Sequence, residues 1–578
     1  GYKWMAWTSD ALAMDRGKLW SGLQLITDDT CGYIYLKYVS GYNPMILTQV
    51  SDSMLTACGA MNETSWVYTA ADDGPGSLRY AIYNTKARGQ ISMDIDAGDT
   101  IKLNSSLLIQ KPLVLNAAID DSLRANIQGP DSSHCIVAQN IPGGGVTDFL
   151  VVSNANIFGA GRDGIHNTGS QMRIMRSKIY DNQGAGIYAG PGGGFLYLYS
   201  CEIHNNQNSG VRFSQRGSES TISSCYIHDN IAEEGGGIYI SSEESTEVRM
   251  EDCLIENNSA LYGGGIYSNG DNVNILLLST KVRKNSAQEG GGIYSRHAHI
   301  GAGYAQTNMS DIYLNQAITG KDIYWWNDHH LNIYIDTFTV LYPTPIYIYA
   351  INEEGIPQSF DYEIFHGILD HFSHDFYVSP EGYDENDGSS WENAKQTINS
   401  ALEACLPDHP MSIYLDSGQY APGCYEENFP FILFGKVKLQ GMGAEKSILG
   451  PAPEVLLLWN GEKAEIRDLG IKTSKTGINC YADRLILENV NMLKDSSGNA
   501  RGIDANNKTI NIKHSQFKGL HIGIHYASNV NIHNSEFRDC AHAIYYDAYN
   551  LEKPKMSFVS NSLFSNNEWV FSDCGRLT

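Results

Sequence analysis

At 578 residues, with 40 Lys and Arg against 65 Asp and Glu and a formal net charge of -25, the chain is too long for one compact core and expects several domains or a repeat array. The acidic balance, with no basic run to set against it, excludes a phosphate-binding face and with it nucleic acid; polyuronate glycans would need calcium as a bridge. No apolar run reaches the roughly 18 residues of a membrane span, the opening "GYKWMAWTSD" has no signal-peptide pattern, so that any leader is expected to be gone already, and eleven cysteines without a CxxC exclude a zinc ribbon or a dithiol redox site.

In chain order, residues 1 to about 65 fit no repeat. Within them "CGYIYLKYVSGYNPMILTQV" from Cys31 has the β-branched and aromatic character of a strand that adds to a neighbour's edge, so this segment is expected to cap the first domain or to make assembly contacts. In "DDGPGSLRYAIYNTKARG" from Asp72, Leu78, Ala81 and Ile82 have helical spacing, which predicts a short cap over a first coil.

The next stretch repeats. Ile165, Ile187, Val211, Ile238, Ile266, Ile293 and Ile323 form a column with steps of 22, 24, 27, 28, 27 and 30 residues. Ile179, Ile203, Ile227, Ile255, Val282 and Ile312 form a second, each followed three residues later by Asn182, Asn206, Asn230, Asn258, Asn285 or Asn315. A period in the twenties with β-branched residues between Gly and Asn predicts a solenoid whose coils stack as parallel strands. In "GGGIYS" the Ile faces inward and the Tyr outward. An Asn at a tight corner tolerates left-handed angles and can hydrogen-bond its equivalent one coil away. Cys201, Cys225 and Cys253, each two residues before a column Ile, are expected as buried thiols.

These motifs resemble the right-handed parallel β-helix proteins, in particular bacterial surface proteins with GGGIY-type repeats, including polymorphic outer-membrane adhesins; the likeness covers about residues 66 to 345. The segment "FYVSPEGYDENDGSSWENAKQTINSALEAC" from Phe376 resembles the opening of a second β-helix group, with Trp391, Ala394, Ile398 and Leu402 as the apolar face of a capping helix. Ile478, Ile503, Ile524 and Ile544 then repeat at 25, 21 and 20 residues beside Phe517, Phe537 and Phe564. The expected fold is all-β: two tandem right-handed parallel β-helices over 66–348 and 376–578, each with a short N-terminal capping helix, joined by a linker over 349–375.

Many β-helix proteins cut polysaccharides, so catalytic groups were sought. "WNDHH" from Trp326 resembles one pectate-lyase motif and offers Asp328 and His329, but Asn327 is a mismatch and no Arg-x-Pro-x-x-Arg accompanies it; the competing reading is a turn. No Gly-His-Gly supports a polygalacturonase. Registering the second repeat puts Asn479, Asp504, His525 and Tyr545 in one outward column, fit for a sugar, a metal or a general base, or simply solvated. Tyr239, Tyr267, Tyr294 and Tyr324 follow their column Ile directly, with Tyr188 in the same place and Arg212 interrupting; they suit stacking on a sugar ring or on one another. The acidic run of Glu233, Glu234, Glu243, Glu244, Glu247, Glu251 and Asp252 reads as calcium-binding or as solvated loop, and calcium is the one cofactor considered. The sequence therefore reads as an extracellular or cell-surface structural or adhesive protein that self-associates as a filament or surface layer and contacts a polysaccharide. A secreted polysaccharide lyase or glycoside hydrolase is the alternative.

Overall fold

A computed structural model describes residues 23–27, 34–38 and 62–572, apart from 121–122, 140, 142–148, 170, 192–194, 215–218, 303–307, 408, 426, 460, 496–497 and 547–557. The chain is an all-β parallel solenoid of about 18 turns with almost no helix. Over residues 62–369 each coil lays down three short strands, for example Thr246–Glu251, Leu254–Glu256 and Ile266–Asn269. Each pairs in parallel with its counterpart one coil on, through Thr246 and Val273, Ile255 and Val282, and Ile266 and Ile293. The result is a first, second and third sheet of ten, eleven and ten strands along three faces of the coil.

The pairing follows the two sequence columns. Ile165 through Ile323 occupy successive rungs of the third sheet. Ile179 through Ile312 do the same in the second. Because strand side chains alternate, a one-residue slip would turn every column Ile outward, so burial fixes the register. Ile238, Ile266 and Ile293 are all buried.

Two kinds of corner close each coil. The ladder asparagines are buried, and the left-handed angle falls on the residue before each, as at Asp229, Asn257 and Lys284 with φ of 53°, 56° and 53°. This differs from the expectation that the Asn itself bends the chain. The exposed predecessor takes the turn, which aims the Asn amide along the stack. At the other corner Cys201, Cys225 and Cys253 are buried free thiols, as expected. They alternate in function with hydroxyls: the Cys201 N–H donates to Cys225 Sγ at 3.4 Å, the Cys253 N–H to Thr280 Oγ1 at 3.3 Å and the Thr280 N–H to Ser310 Oγ at 3.0 Å.

The Gly-Gly-Gly before the column Ile has two separate causes. Gly263 has φ of +65°, and a Cβ there would lie 2.4 Å from the Ile266 carbonyl oxygen. On Gly264 and Gly265 a Cβ would meet the next coil, 2.5 Å from Ser286 O and 2.6 Å from Gly292 O. The first glycine permits the bend and the other two permit coil-to-coil contact.

Residues 376–572 form an eighteen-strand sheet. Ile478, Ile503, Ile524 and Ile544 share one run of rungs, and Phe517, Phe537 and Phe564 another. Segment 349–375, read from sequence as a linker, instead carries the last strands of two sheets: Ile348–Ile351 and Phe360–Leu369 pair with Ile323–Trp326 and Leu331–Val340. Buried residues continue across this point, from Val340 and Tyr347 to Phe376 and Cys405, in one cluster. Lys321 and Glu403 pair at 2.6 Å, and Tyr349 meets Trp459 edge-on at 4.6 Å.

Among the described residues there are two seven-residue helices. Leu78–Asn84, with Ser77 as N-cap, buries Leu78, Ala81 and Ile82 as the spacing predicts. Ile398–Ala404, with Thr397 as N-cap, buries Ile398, Ala401 and Leu402. Trp391 lies outside that helix, half-exposed against Tyr377 at 4.9 Å, because Thr397 starts the helix only after an extended stretch. The segment of residues 1 to about 65, expected to cap the first domain or to make assembly contacts, lies outside the described residues, save that Leu23–Thr27 pairs antiparallel with Ile34–Tyr38 and Asn62–Val67 opens the first sheet. No described helix is long and apolar enough to cross a membrane.

Candidate functional site

The outward tyrosines stand on consecutive rungs of the third sheet. Their rings stack at 5.2 Å for Tyr239 and Tyr267, 5.3 Å for Tyr267 and Tyr294, and 4.7 Å for Tyr294 and Tyr324. Tyr349 extends the column at 5.1 Å, and the Arg212 guanidinium lies 3.6 Å over the Tyr239 ring at its other end. Tyr267, Tyr294 and Tyr324 are only 5%, 4% and 6% exposed. Their faces cover one another, and Tyr262 from the preceding loop meets the Tyr294 ring edge-on at 5.5 Å. Burial first, then neighbouring carboxylates, pushes their phenols up. Tyr188 stacks instead on His166 at 4.7 Å.

Asp328 and His329 form an exposed turn. Buried Asn327 ties it down, its amide donating to Ala298 O at 3.3 Å and its Oδ1 accepting from the His329 N–H at 2.9 Å. Asp328 Oδ1 accepts from the Glu353 N–H at 3.0 Å, and Trp325 Nε1 donates to His329 O at 3.0 Å. The Asn327 amide, one Asp328 oxygen and the His329 backbone thus serve the turn. In the acidic run, Glu233, Glu243, Glu244, Glu247 and Asp252 are exposed, and among the described residues no three of this run converge as metal ligands.

The second repeat brings its candidates together. Asn479, Asp504, His525 and Tyr545 occupy successive rungs, as the Gly-Ile steps predict. His525 Nδ1 is 3.1 Å from Asp504 Oδ1, Arg501 donates to Asp504 Oδ2 at 2.8 Å, and the His525 ring stacks on Tyr545 at 5.5 Å. Burial alone would raise the Asp504 carboxyl, but the hydrogen bond and charge of His525, with Arg501, outweigh it and hold it below the usual carboxylate range. A carboxylate so held orients an imidazole through Nδ1, which leaves Nε2 to exchange a proton.

Sequence reasoning missed a third cluster, His134, Asp163 and His166, whose ligand atoms all lie within 4.8 Å of one another. Its signal was the coil register: His166 sits on the rung above Val137, so that Asp163 falls one coil above His134. Two surface depressions, one lined by Asn116, Val151 and Arg176 and the other by Arg124, Glu202 and Tyr226, enclose about 180 and 200 Å³. Both are smaller than the roughly 300 Å³ at which ligand pockets begin.

The family described as "Right handed beta helix region" matches residues 114–329, and "Protein of unknown function (DUF1565)" matches residues 380–572. No curated protein matches. Solved structures similar to the chain include pectate lyase Pel9A, at 12% identity and a TM-score of 0.27, covering 60% of this chain and 86% of that one. The PL6 family alginate lyase AlyGC is similar at 12% identity and a TM-score of 0.25, covering 87% and 89%. Superpositions this loose carry no argument about chemistry. The parallel ladders and the family match over their coils agree, and the chain is a right-handed parallel β-helix repeat protein.

Proposed function

We propose that the protein is an extracellular structural or adhesive subunit, built as two tandem β-helices with short helical caps, that associates end to end and presents its faces to a polysaccharide. The observation that carries this reading is the last described coil. Among the described residues its strands Phe558–Ser560, Leu563–Ser565 and Trp569–Ser572 pair only backward, and Phe558, Leu563 and Trp569 are 62%, 53% and 58% exposed. Strand edges with large apolar side chains are a template for another strand. Among the described residues Asn62–Val67 is the outer strand of the first sheet, with Trp66 and Tyr68 exposed. Unlike ends that meet head to tail propagate as a filament. The adhesin-type GGGIY repeats support a surface location, and a buried tyrosine ladder suits a stiff rod better than a sugar platform.

Light scattering and negative-stain microscopy test this. The wild-type mass is expected to rise with concentration, and Leu563→Asp with Trp569→Asp to hold the protein monomeric without changing its circular dichroism. A wild-type protein that stays monomeric at high concentration would sink the proposal.

The Asp504 and His525 pair favours one second reading, a polysaccharide lyase or hydrolase with its site on the second repeat. On that reading acidic polysaccharide with calcium yields unsaturated-uronate absorbance, or new reducing ends for a hydrolase. His525→Gln abolishes either signal, and an unchanged circular dichroism spectrum shows that the fold is kept. Turnover that survives His525→Gln removes this site.

A further inference from the structure

We propose that His134, Asp163 and His166 form a binding site for one divalent transition-metal ion of the zinc class, clamping two successive coils of the third sheet. Asp163 Oδ2 lies 3.1 Å from His134 Nδ1 and 2.7 Å from His166 Nδ1. Ligands about 2.1 Å from a tetrahedral ion stand about 3.4 Å apart, so the two imidazole nitrogens need draw back from the carboxylate oxygen by only a few tenths of an ångström to admit one, and all three ligand atoms already lie within 4.8 Å of one another.

The carboxylate is already oriented. Asp163 Oδ1 accepts the Ala185 N–H at 2.8 Å, and Gly184 packs so closely that a Cβ there would lie 2.4 Å from this oxygen. That outer contact fixes the carboxylate plane and leaves Oδ2 for the two imidazoles. The rings are held as well: His134 and His166 lie 4.1 Å apart, and Tyr188 stacks on the far side of His166 at 4.7 Å. All three side chains are largely covered yet reachable, at 17%, 13% and 23% exposure.

The hydrogen bonding points to a positive occupant. The Asp163 backbone N–H lies 3.2 Å from His134 Nδ1, so with the ring proton on Nε2 this nitrogen bears the ring's one lone pair, which a bound ion would take in place of the N–H contact. The same nitrogen faces Asp163 Oδ2 at 3.1 Å, a second lone-pair bearer. A cation between them removes that repulsion; a proton is the competing occupant. Two imidazole nitrogens with one carboxylate oxygen suit zinc-class ions, whereas calcium takes six to eight oxygens. Three protein ligands leave a fourth position for water or for another molecule.

The test uses the full chain after chelator treatment and dialysis, titrated with Zn²⁺ against a chromophoric chelator and with Co²⁺ by visible absorption. One equivalent of Zn²⁺ is expected to be withdrawn from the chelator, and Co²⁺ to develop the absorption of a low-coordinate nitrogen and oxygen site. His134→Gln and Asp163→Asn, each checked by its melt in chelator, are expected to lose more than about 100-fold in affinity, beyond the 10- to 100-fold of an outer-shell loss. His525→Gln controls for the other imidazole and carboxylate pair and should bind as wild type does. If the wild type takes no Zn²⁺ from the chelator, or if His134→Gln and Asp163→Asn both bind as tightly as it does, a proton is the occupant and the proposal falls.

Discussion

Replacing Asn258 with Ala is expected to unfold the central coils, because one side chain there serves five buried polar groups, its two N–H bonds shared among three acceptors and its oxygen taking two donors. Its amide nitrogen donates to Ile227 O at 3.0 Å, to Glu256 O at 3.1 Å and to Asn285 Oδ1 at 3.0 Å. Its Oδ1 accepts the Asn230 N–H at 3.0 Å and the Asn230 amide at 2.9 Å. Asn258 is 1% exposed, so water cannot replace these partners. An orphaned buried group costs about 1–3 kcal/mol, so the sum is on the order of 5 kcal/mol, comparable with the whole stability of many domains. The loss acts on both neighbours, since Asn230 and Asn285 each lose their link, and repeat arrays are held by such nearest-neighbour contacts. Denaturant unfolding should lose a transition or shift it strongly, and hydrogen exchange should rise across residues 227–293. Glu243→Ala, on the exposed acidic run, controls for the method and should move neither. A melt within about 2 °C of wild type would show that the ladder is ornamental.

That ladder was legible because the coil period writes it out. Ile255 and Asn258 recur with their equivalents at every turn, and the rungs pair as the spacing says. What depends on loops was less legible. Tyr267 alternates outward from Ile266, which correctly gives its direction but not its burial; its cover comes from the Tyr rings on either side and from the loop bent at Gly263. The left-handed corner was misplaced by one residue because Asn is the residue type that tolerates it, while here Lys284 and Leu314 adopt it so that the Asn can point inward. The cluster at His134 stayed hidden for a different reason. The Gly-Ile mark of the third sheet starts at Gly164, whereas the coil below enters its strand through Cys135 and Ile136. Without that rung, His134 and Asp163 are 29 residues apart and nothing connects them. In the second repeat, by contrast, the Gly-Ile mark runs through the site itself, and Asp504 and His525 appear where the register puts them.

The second large effect concerns the end of the same ladder. Each ladder Asn donates toward the next coil, from Asn182 to Asn206 and on through Asn285 to Asn315. Beyond Asn315 the chain passes to a different kind of acceptor. Asp322 Oδ1 is that acceptor, taking the Asn315 N–H at 3.3 Å and the Asn315 amide at 2.9 Å. Asp322 is fully buried with its Oδ2 lacking a hydrogen-bond partner, and burial pushes its carboxyl up from the usual 3.8 to about 7; the hydrogen bonds from Asn315 and the charge of Lys321 offset this only in part. The sign follows from linkage. A carboxyl with a higher pKa folded than unfolded holds its proton more tightly in the fold, so its contribution is fully present below about pH 4. It is lost as pH rises toward 7 and is level above that, at about 1.4 kcal/mol per pH unit, or roughly 4 kcal/mol in all. Asp322→Asn keeps an oxygen for Asn315 and carries no charge. The variant is therefore expected to melt higher than wild type at pH 8, with the gap shrinking and then reversing or vanishing near pH 4.5. Glu427, which burial also pushes up to about 7, titrates in both proteins and cancels in the difference. Thermal melts of the pair at pH 4.5, 6 and 8 give the answer: a gap that does not change with pH would mean that Asp322 stays in one protonation state throughout, and that the ladder ends on a charge the fold tolerates.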